Sequence, residues 1–169
     1  MIHIVLFEPK MPQNTGNIMR TCAALNAQLH LIEPLGFVLD EKRVKRAVMD
    51  YIDQLNYVVH KDFDAFLEHV DGALYYLTRF GTKTHSEIDY AHHNQDIYLV
   101  FGSETAGLPK DILKENINRT FRIPMSESAR SLNLSNAVAI SGYEVARQLD
   151  FKNLSKVEVL KGSDYIEKL

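Results

Sequence analysis

The stretch Ile97-Tyr98-Leu99-Val100-Phe101-Gly102-Ser103-Glu104-Thr105-Ala106-Gly107-Leu108-Pro109 decides the fold. Its first five residues are apolar without alternation. That is the pattern of a strand buried on both faces, as in a parallel sheet covered by helices. Gly102, Glu104 and Gly107 follow at once. Gly102 lets the backbone approach a ligand or take an unusual φ, and Gly107 permits a tight turn into the next helix. Glu104 puts a carboxylate at the carboxyl end of the strand. It serves there as a charge at a helix start, as an acceptor for backbone amides, or as a group of a site. Two glycines around one acid exceed what a turn requires.

Outward from this stretch, strand-like runs alternate with helix-like runs. Residues 2–6, 29–32, 57–60, 74–78, 97–101 and 121–123 read as strands. Residues 16–25, 40–49, 63–70, 109–117 and 135–149 carry helical spacing. The five prolines, at 9, 12, 34, 109 and 124, fall between these runs. The repeated β-α order predicts an α/β fold, a mostly parallel sheet flanked by helices, in one domain over 1–150. The more polar end, 151–169, reads as a weak helix through Leu154, Val157 and Leu160 or as a tail. Ligands of open α/β sheets bind beyond the carboxyl ends of the strands. The segments to inspect are therefore 8–17, 79–85, 102–109 and 124–136.

Composition narrows the class. The chain has 169 residues, 46% apolar and 24% charged, as in an ordinary globular protein. No apolar run approaches the roughly 20 residues that span a bilayer. The start, Met1-Ile2-His3-Ile4-Val5-Leu6, reads as a strand rather than a signal peptide. Cys22 is the single cysteine, which excludes an intrachain disulfide and fits a reducing cytoplasm. It reads as a small buried hydrophobe on a helix. The net charge of -3 argues against general coating of nucleic acid. One local cluster, Lys42-Arg43-Val44-Lys45-Arg46, is either a solvated helix face or a phosphate-binding patch.

Familiar chemistries are missing. No G-x-G-x-x-G follows the first strand, and no P-loop, G-x-S-x-G or H-E-x-x-H occurs. His92-His93 are adjacent, so they do not share a face, and no metal site is expected. In Pro12-Gln13-Asn14-Thr15-Gly16-Asn17-Ile18-Met19-Arg20, Asn14 or Thr15 suits the cap of the helix that follows. Arg20 is either a surface cation or a guanidinium fork for a phosphate. Ser131, Asn133, Ser135 and Asn136 crowd the start of the last helix, where one cap needs one side chain. Ser135 is the expected cap. On that helix Leu134, Val138, Gly142, Val145 and Leu149 form one apolar or small stripe, with Ala137, Ile140 and Ala146 beside it. A helix apolar on more than one side is buried on more than one side, so Gly142 is expected against a partner helix, or else both sides pack within one subunit.

Three motifs then stand in order: Asn14-x-Gly16-x-x-x-Arg20; Phe101-Gly102-x-Glu104-x-x-Gly107-Leu108; and Ile123-Pro124-Met125 followed by Ser131-Leu132-Asn133-Leu134-Ser135. Over nearly the whole chain, to about Leu149, they resemble the SPOUT RNA methyltransferases, in the 2'-O-ribose branch. With no further RNA-binding domain, the chain looks like the short TrmL group. The resemblance implies a SPOUT fold with a C-terminal trefoil knot, which no periodicity would predict. It implies S-adenosylmethionine as cofactor, no metal, and a cytoplasmic homodimer with its site near the interface. It also implies methylation of the wobble ribose, at cytidine or modified uridine, in leucine tRNAs. By motif position Leu77, Gly102, Ile123, Ser131 and Leu132 would contact the cofactor. Arg20 would assist loss of the 2'-hydroxyl proton, with Glu104 orienting Arg20 or the ribose. Asn14 and Asn133 would position the ribose and the loops, and Tyr143 would reach a partner's site. Under this reading Lys42, Arg43, Lys45 and Arg46 hold the anticodon stem-loop. The alternatives are another tRNA or ribosomal RNA position, or a non-catalytic RNA-binding factor on the same fold.

Overall fold

The computed structural model describes residues 1–40, 55–91 and 95–169. The Lys42-Arg46 cluster, His92-His93 and nearly all of the helix expected over 40–49 lie outside the described residues. Seven strands form one sheet: β1 (Ile2–Phe7), β2 (Gln28–Ile32), β3 (Asn56–His60), β4 (Gly72–Leu77), β5 (Lys83–Thr84), β6 (Asp96–Phe101) and β7 (Thr120–Arg122). Their order is β3-β2-β1-β6-β4-β7-β5, and every pairing is parallel. The α/β fold with a parallel sheet is as the sequence predicts.

Side chains of a strand alternate between faces, and the core divides accordingly. Ile4, Leu6, Leu29, Leu31, Leu99 and Phe101 face α1 (Pro12–Leu25) and α4 (Leu134–Gln148). Val5, Ile32, Tyr76, Tyr98 and Val100 face α2 (Phe63–Leu67) and the α3 (Lys110–Glu115) side. Both clusters draw on β1, β4 and β6, which explains why those strands read as continuous apolar runs. Cys22 is fully buried on α1, and burial pushes its thiol up to about 12.

α1 and α4 pack against each other. A Cβ at Gly142 would lie 2.7 Å from Leu25 Cδ1, so the close approach that Gly142 allows is to α1 of the same chain. Of the two expectations for this residue, packing within one subunit is the one observed. At the end of the chain, the helical one of the two expected forms does not occur. After α4 it is a series of turns, with one 3-10 turn at Ile166–Lys168. Val157 and Leu160 are exposed, while Phe151 and Leu154 pack on the core. Asp150, Phe151 and Asn153 take positive φ, which breaks the helical path, so the spacing of the apolar positions beyond them has no helix to serve.

A row of histidines crosses the α2 face. His3 Nδ1 lies 2.9 Å from His30 Nε2, and His30 Nδ1 lies 2.9 Å from His60 Nε2. His3 Nε2 lies 3.2 Å from the Asp96 carboxylate, which also binds the N-terminal ammonium. Burial alone would raise Asp96, but hydrogen bonds from that ammonium and from His3 outweigh it and hold the carboxyl below its usual range. A carboxylate only accepts, so His3 donates from Nε2. Its bare Nδ1 then takes the Nε2 hydrogen of His30, and His30 Nδ1 takes that of His60. Burial lowers all three histidines, His30 to about 3.

Candidate active site

The strand order reverses at β1, where β2 continues one way and β6 the other. Loops leaving β1 and β6 therefore diverge at the carboxyl edge and open a crevice, the usual ligand position in such sheets. The two loops meet through Glu104.

α1 begins at Pro12, with Met11 as its cap residue and no capping side chain of its own. Its entry amides are met from far along the chain. The Glu104 carboxylate accepts from the N–H of Lys10 at 2.8 Å and from the N–H of Met11 at 3.1 Å. No acid stands in the first turn of α1, so Glu104 also supplies the negative charge that a helix N-terminus favours. Neither Asn14 nor Thr15 is the cap, because the helix starts before them. Thr15 turns its hydroxyl back to Met11 O at 3.3 Å. Asn14 is buried in the first turn and donates from Nδ2 to Glu104 at 3.1 Å.

The row continues into the last motif. Asn133 Nδ2 donates to Asn14 Oδ1 at 2.9 Å, and Asn133 Oδ1 accepts from the Ser135 N–H at 2.9 Å and the Ser135 hydroxyl at 2.7 Å. Asn133, not Ser135, is thus the N-cap of α4. Its carbonyl fills the capping role two residues from Ser135, and its amide remains free for Asn14. A carboxylate at one end and a backbone N–H at the other fix the orientation of both amides. Glu104, Asn14 and Asn133 form one relay that ties the β6 loop to the starts of α1 and α4.

The β6 loop holds its shape through its glycines. Gly107 takes φ +71 and returns its N–H to Ser103 O at 2.9 Å. A Cβ on Gly102 would lie 2.1 Å from Gly107 C. Gly102 is required so that the loop can fold onto itself.

Beside the relay lies a cavity of about 640 Å³. This falls in the size range of small-molecule and cofactor sites. Leu77, Gly102, Ile123, Ser131 and Leu132 all line it, as do Asn14, Glu104 and Asn133. Thr78, Arg79, Phe80 and Arg130, to which sequence reasoning gave no role, also line it, as does Met125 of the third motif. The residues after each strand's carboxyl end were the available signal for them. The wall combines apolar side chains with backbone edges and a few polar groups, which suits an organic ligand of mixed polarity.

Arg20 does not line the cavity. It is exposed on the outer face of α1 and has no hydrogen bond or ion pair among the described residues. Glu104 is engaged by Lys10, Met11 and Asn14 rather than by Arg20. Tyr143 is likewise exposed, on α4. Within one chain the relay and the cavity come together, while Arg20 and Tyr143 stand outside them. No group of metal-ligating side chains gathers among the described residues.

Known proteins share this architecture. Residues 1–143 match the SpoU rRNA Methylase family. A tRNA (cytidine(34)-2'-O)-methyltransferase of Saccharophagus degradans is 48% identical over 153 residues, covering 89% of this chain and 97% of the relative. A structure solved for insight into 2-OH methylation of C/U34 on tRNA matches with TM-score 0.80 and 40% identity, over 90% of this chain and 98% of that one. The SpoU methyltransferase AviRb of Streptomyces viridochromogenes, solved in complex with AdoMet, matches with TM-score 0.75 and 28% identity, over 88% of this chain and 57% of that one.

Proposed function

The chain belongs to the SpoU methylase family, and on that premise we propose that it transfers a methyl group from S-adenosylmethionine to the ribose 2'-hydroxyl of wobble nucleotide 34 in leucine tRNAs, as cytidine or modified uridine. The observation that carries this reading is the Glu104–Asn14–Asn133 relay at the edge of the cavity. The similarity to a cytidine-34 enzyme over most of both chains supports the choice of nucleotide.

S-adenosylmethionine fits the cavity in size and in its mixed lining, with Leu77, Gly102, Ile123, Ser131 and Leu132 as its holders. Bound there, it would supply an electrophilic methyl group, so no metal is needed for the chemistry. The protein's part is positioning. Asn14 and Asn133 hold the ribose-side loops, and Glu104 locks them at α1. Arg20 faces the phosphate beside the reacting ribose. A guanidinium does not give up its proton in a protein, so Arg20 acts as an electrostatic clamp and the phosphate or water takes the proton. Substituting Arg20→Ala should abolish turnover and leave cofactor affinity nearly unchanged; retained turnover would remove Arg20 from the mechanism.

Arg20 and Tyr143 reach a cavity only if a second chain covers the outer faces of α1 and α4, so the active form is a homodimer. Exposed Ile140 and Tyr143 on α4 support this. The trefoil knot belongs to the same proposal, supported by three loops that wall one cavity before the chain enters α4. The Lys42-Arg46 cluster grips the anticodon stem-loop. Charge reversal of Lys42 and Arg43 should weaken tRNA binding and flatten its salt dependence. The test of the whole is methylation of a tRNA panel with labelled S-adenosylmethionine, followed by mapping of the labelled nucleotide. Label at a ribose other than 34, or in ribosomal RNA alone, would overturn the assignment.

A further inference from the structure

The loop after β4 carries a feature that the methyl-transfer chemistry does not use. Phe80 is 68% exposed, yet it forms part of the cavity wall. Large apolar rings left in water at a site rim mark contact surfaces. The turn that carries Phe80 is fixed. The Thr78 N–H donates to Phe121 O on β7 at 2.8 Å, and the Gly81 N–H donates to Thr78 O at 3.2 Å. A Cβ at Gly81 would lie 2.4 Å from Phe121 C, so the turn is pressed onto the sheet. The neighbouring cation is also held. Arg79 Cζ lies 4.6 Å from the Phe80 ring centroid, and Arg79 Nη1 donates to Arg130 O at 3.3 Å. Arg130 immediately precedes Ser131, another residue of the cavity wall.

A fixed, exposed ring with a guanidinium beside it suits a ligand that is flat, π-faced and anionic nearby. A nucleobase with its phosphate has that chemistry, since bases stack on aromatic side chains and on guanidinium planes. An apolar protein partner would instead meet exposed Arg79 against the ring and exposed Arg130 on the same wall. We propose that Phe80 and Arg79 form a stacking platform at the mouth of the cavity for an unstacked RNA base at, or next to, the methylated nucleotide. This rests on the reading of the cavity as an RNA methyl-transfer site. The platform would bind RNA independently of the cofactor and hold the target ribose in reach.

The experiment compares wild-type protein with Phe80→Leu and Phe80→Trp. Steady-state methylation of tRNA gives KM and kcat, and calorimetry gives cofactor affinity. Anticodon stem-loops with 2-aminopurine at position 34 or at a neighbour report stacking by fluorescence quenching. The Leu variant should raise the KM for tRNA about 5- to 100-fold, the range of one lost base-aromatic stack. It should keep cofactor affinity and lose the quench, and the Trp variant should restore both KM and quench. A Leu variant with wild-type KM and quench overturns the platform. So does one that loses cofactor affinity but keeps the quench, which would make Phe80 a cofactor wall. Wild-type protein that transfers no methyl group to tRNA contradicts the functional reading instead, and the quench then decides the platform alone.

Discussion

Three N–H groups converge on the Glu104 carboxylate, so its loss leaves donors at the start of α1 without an acceptor. Glu104→Ala should destabilise the fold by about 1–3 kcal/mol, read from the urea midpoint. Asn133 permits a sharper separation. Its carbonyl caps α4 and its amide holds Asn14. Asn133→Ser keeps a capping oxygen but leaves Asn14 Oδ1 without its donor, so stability should fall by about 1 kcal/mol while kcat falls at least about a hundredfold. Equal losses of stability and rate would show Asn133 to be a cap alone. Gly102→Ala forces a Cβ against Gly107 and should weaken cofactor binding measured by calorimetry. At this scale the residue types were legible and their partners were not. The sequence marks Glu104, Asn14 and Asn133 because polar groups gather after strands. That Asn133 rather than Ser135 caps α4 depends on Asn14, 119 residues away.

Between elements, the histidine row couples β1, β2 and β3 to pH. His3, His30 and His60 are all lowered, so the folded state keeps them neutral where the unfolded chain, near 6.5, begins to protonate. The unfolded state then binds more protons, and stability falls as pH drops below about 6.5. It is fully present above that value. The titratable groups facing the row are Asp96, the N-terminal ammonium, Tyr98 and His69. Urea midpoints should fall from pH 7.5 to pH 4.5, and His30→Gln should flatten that fall by up to about 1.4 kcal/mol per pH unit. An unchanged slope would remove His30 from the coupling. The strands themselves were largely legible. β4 and β6 read as apolar runs because helices cover both their faces. The two-residue β5 is too short to show a period, and its pairing with β7 is a tertiary event. The start of α1 was misplaced because its cap comes from the β6 loop rather than from its own sequence.

For the molecule as a whole, the sheet and its crevice follow from alternation of elements, but the order β3-β2-β1-β6-β4-β7-β5 is set by long-range pairing that no local pattern encodes. The proposed dimer is a claim at this scale. Ile140→Asp puts a charge on the exposed face of α4 while leaving the α1–α4 contact intact. Sedimentation should show a dimer for the wild type and a monomer for the variant, with turnover lost and the fold retained. A fully active monomer would break the link between the second chain and the site. The central claim is that this cavity serves methylation of one ribose hydroxyl. Its most direct test is single-turnover transfer from labelled S-adenosylmethionine to two otherwise identical leucine tRNAs, one with cytidine and one with 2'-deoxycytidine at position 34. The account predicts one labelled methyl group on the first and none on the second; equal labelling of both would contradict it.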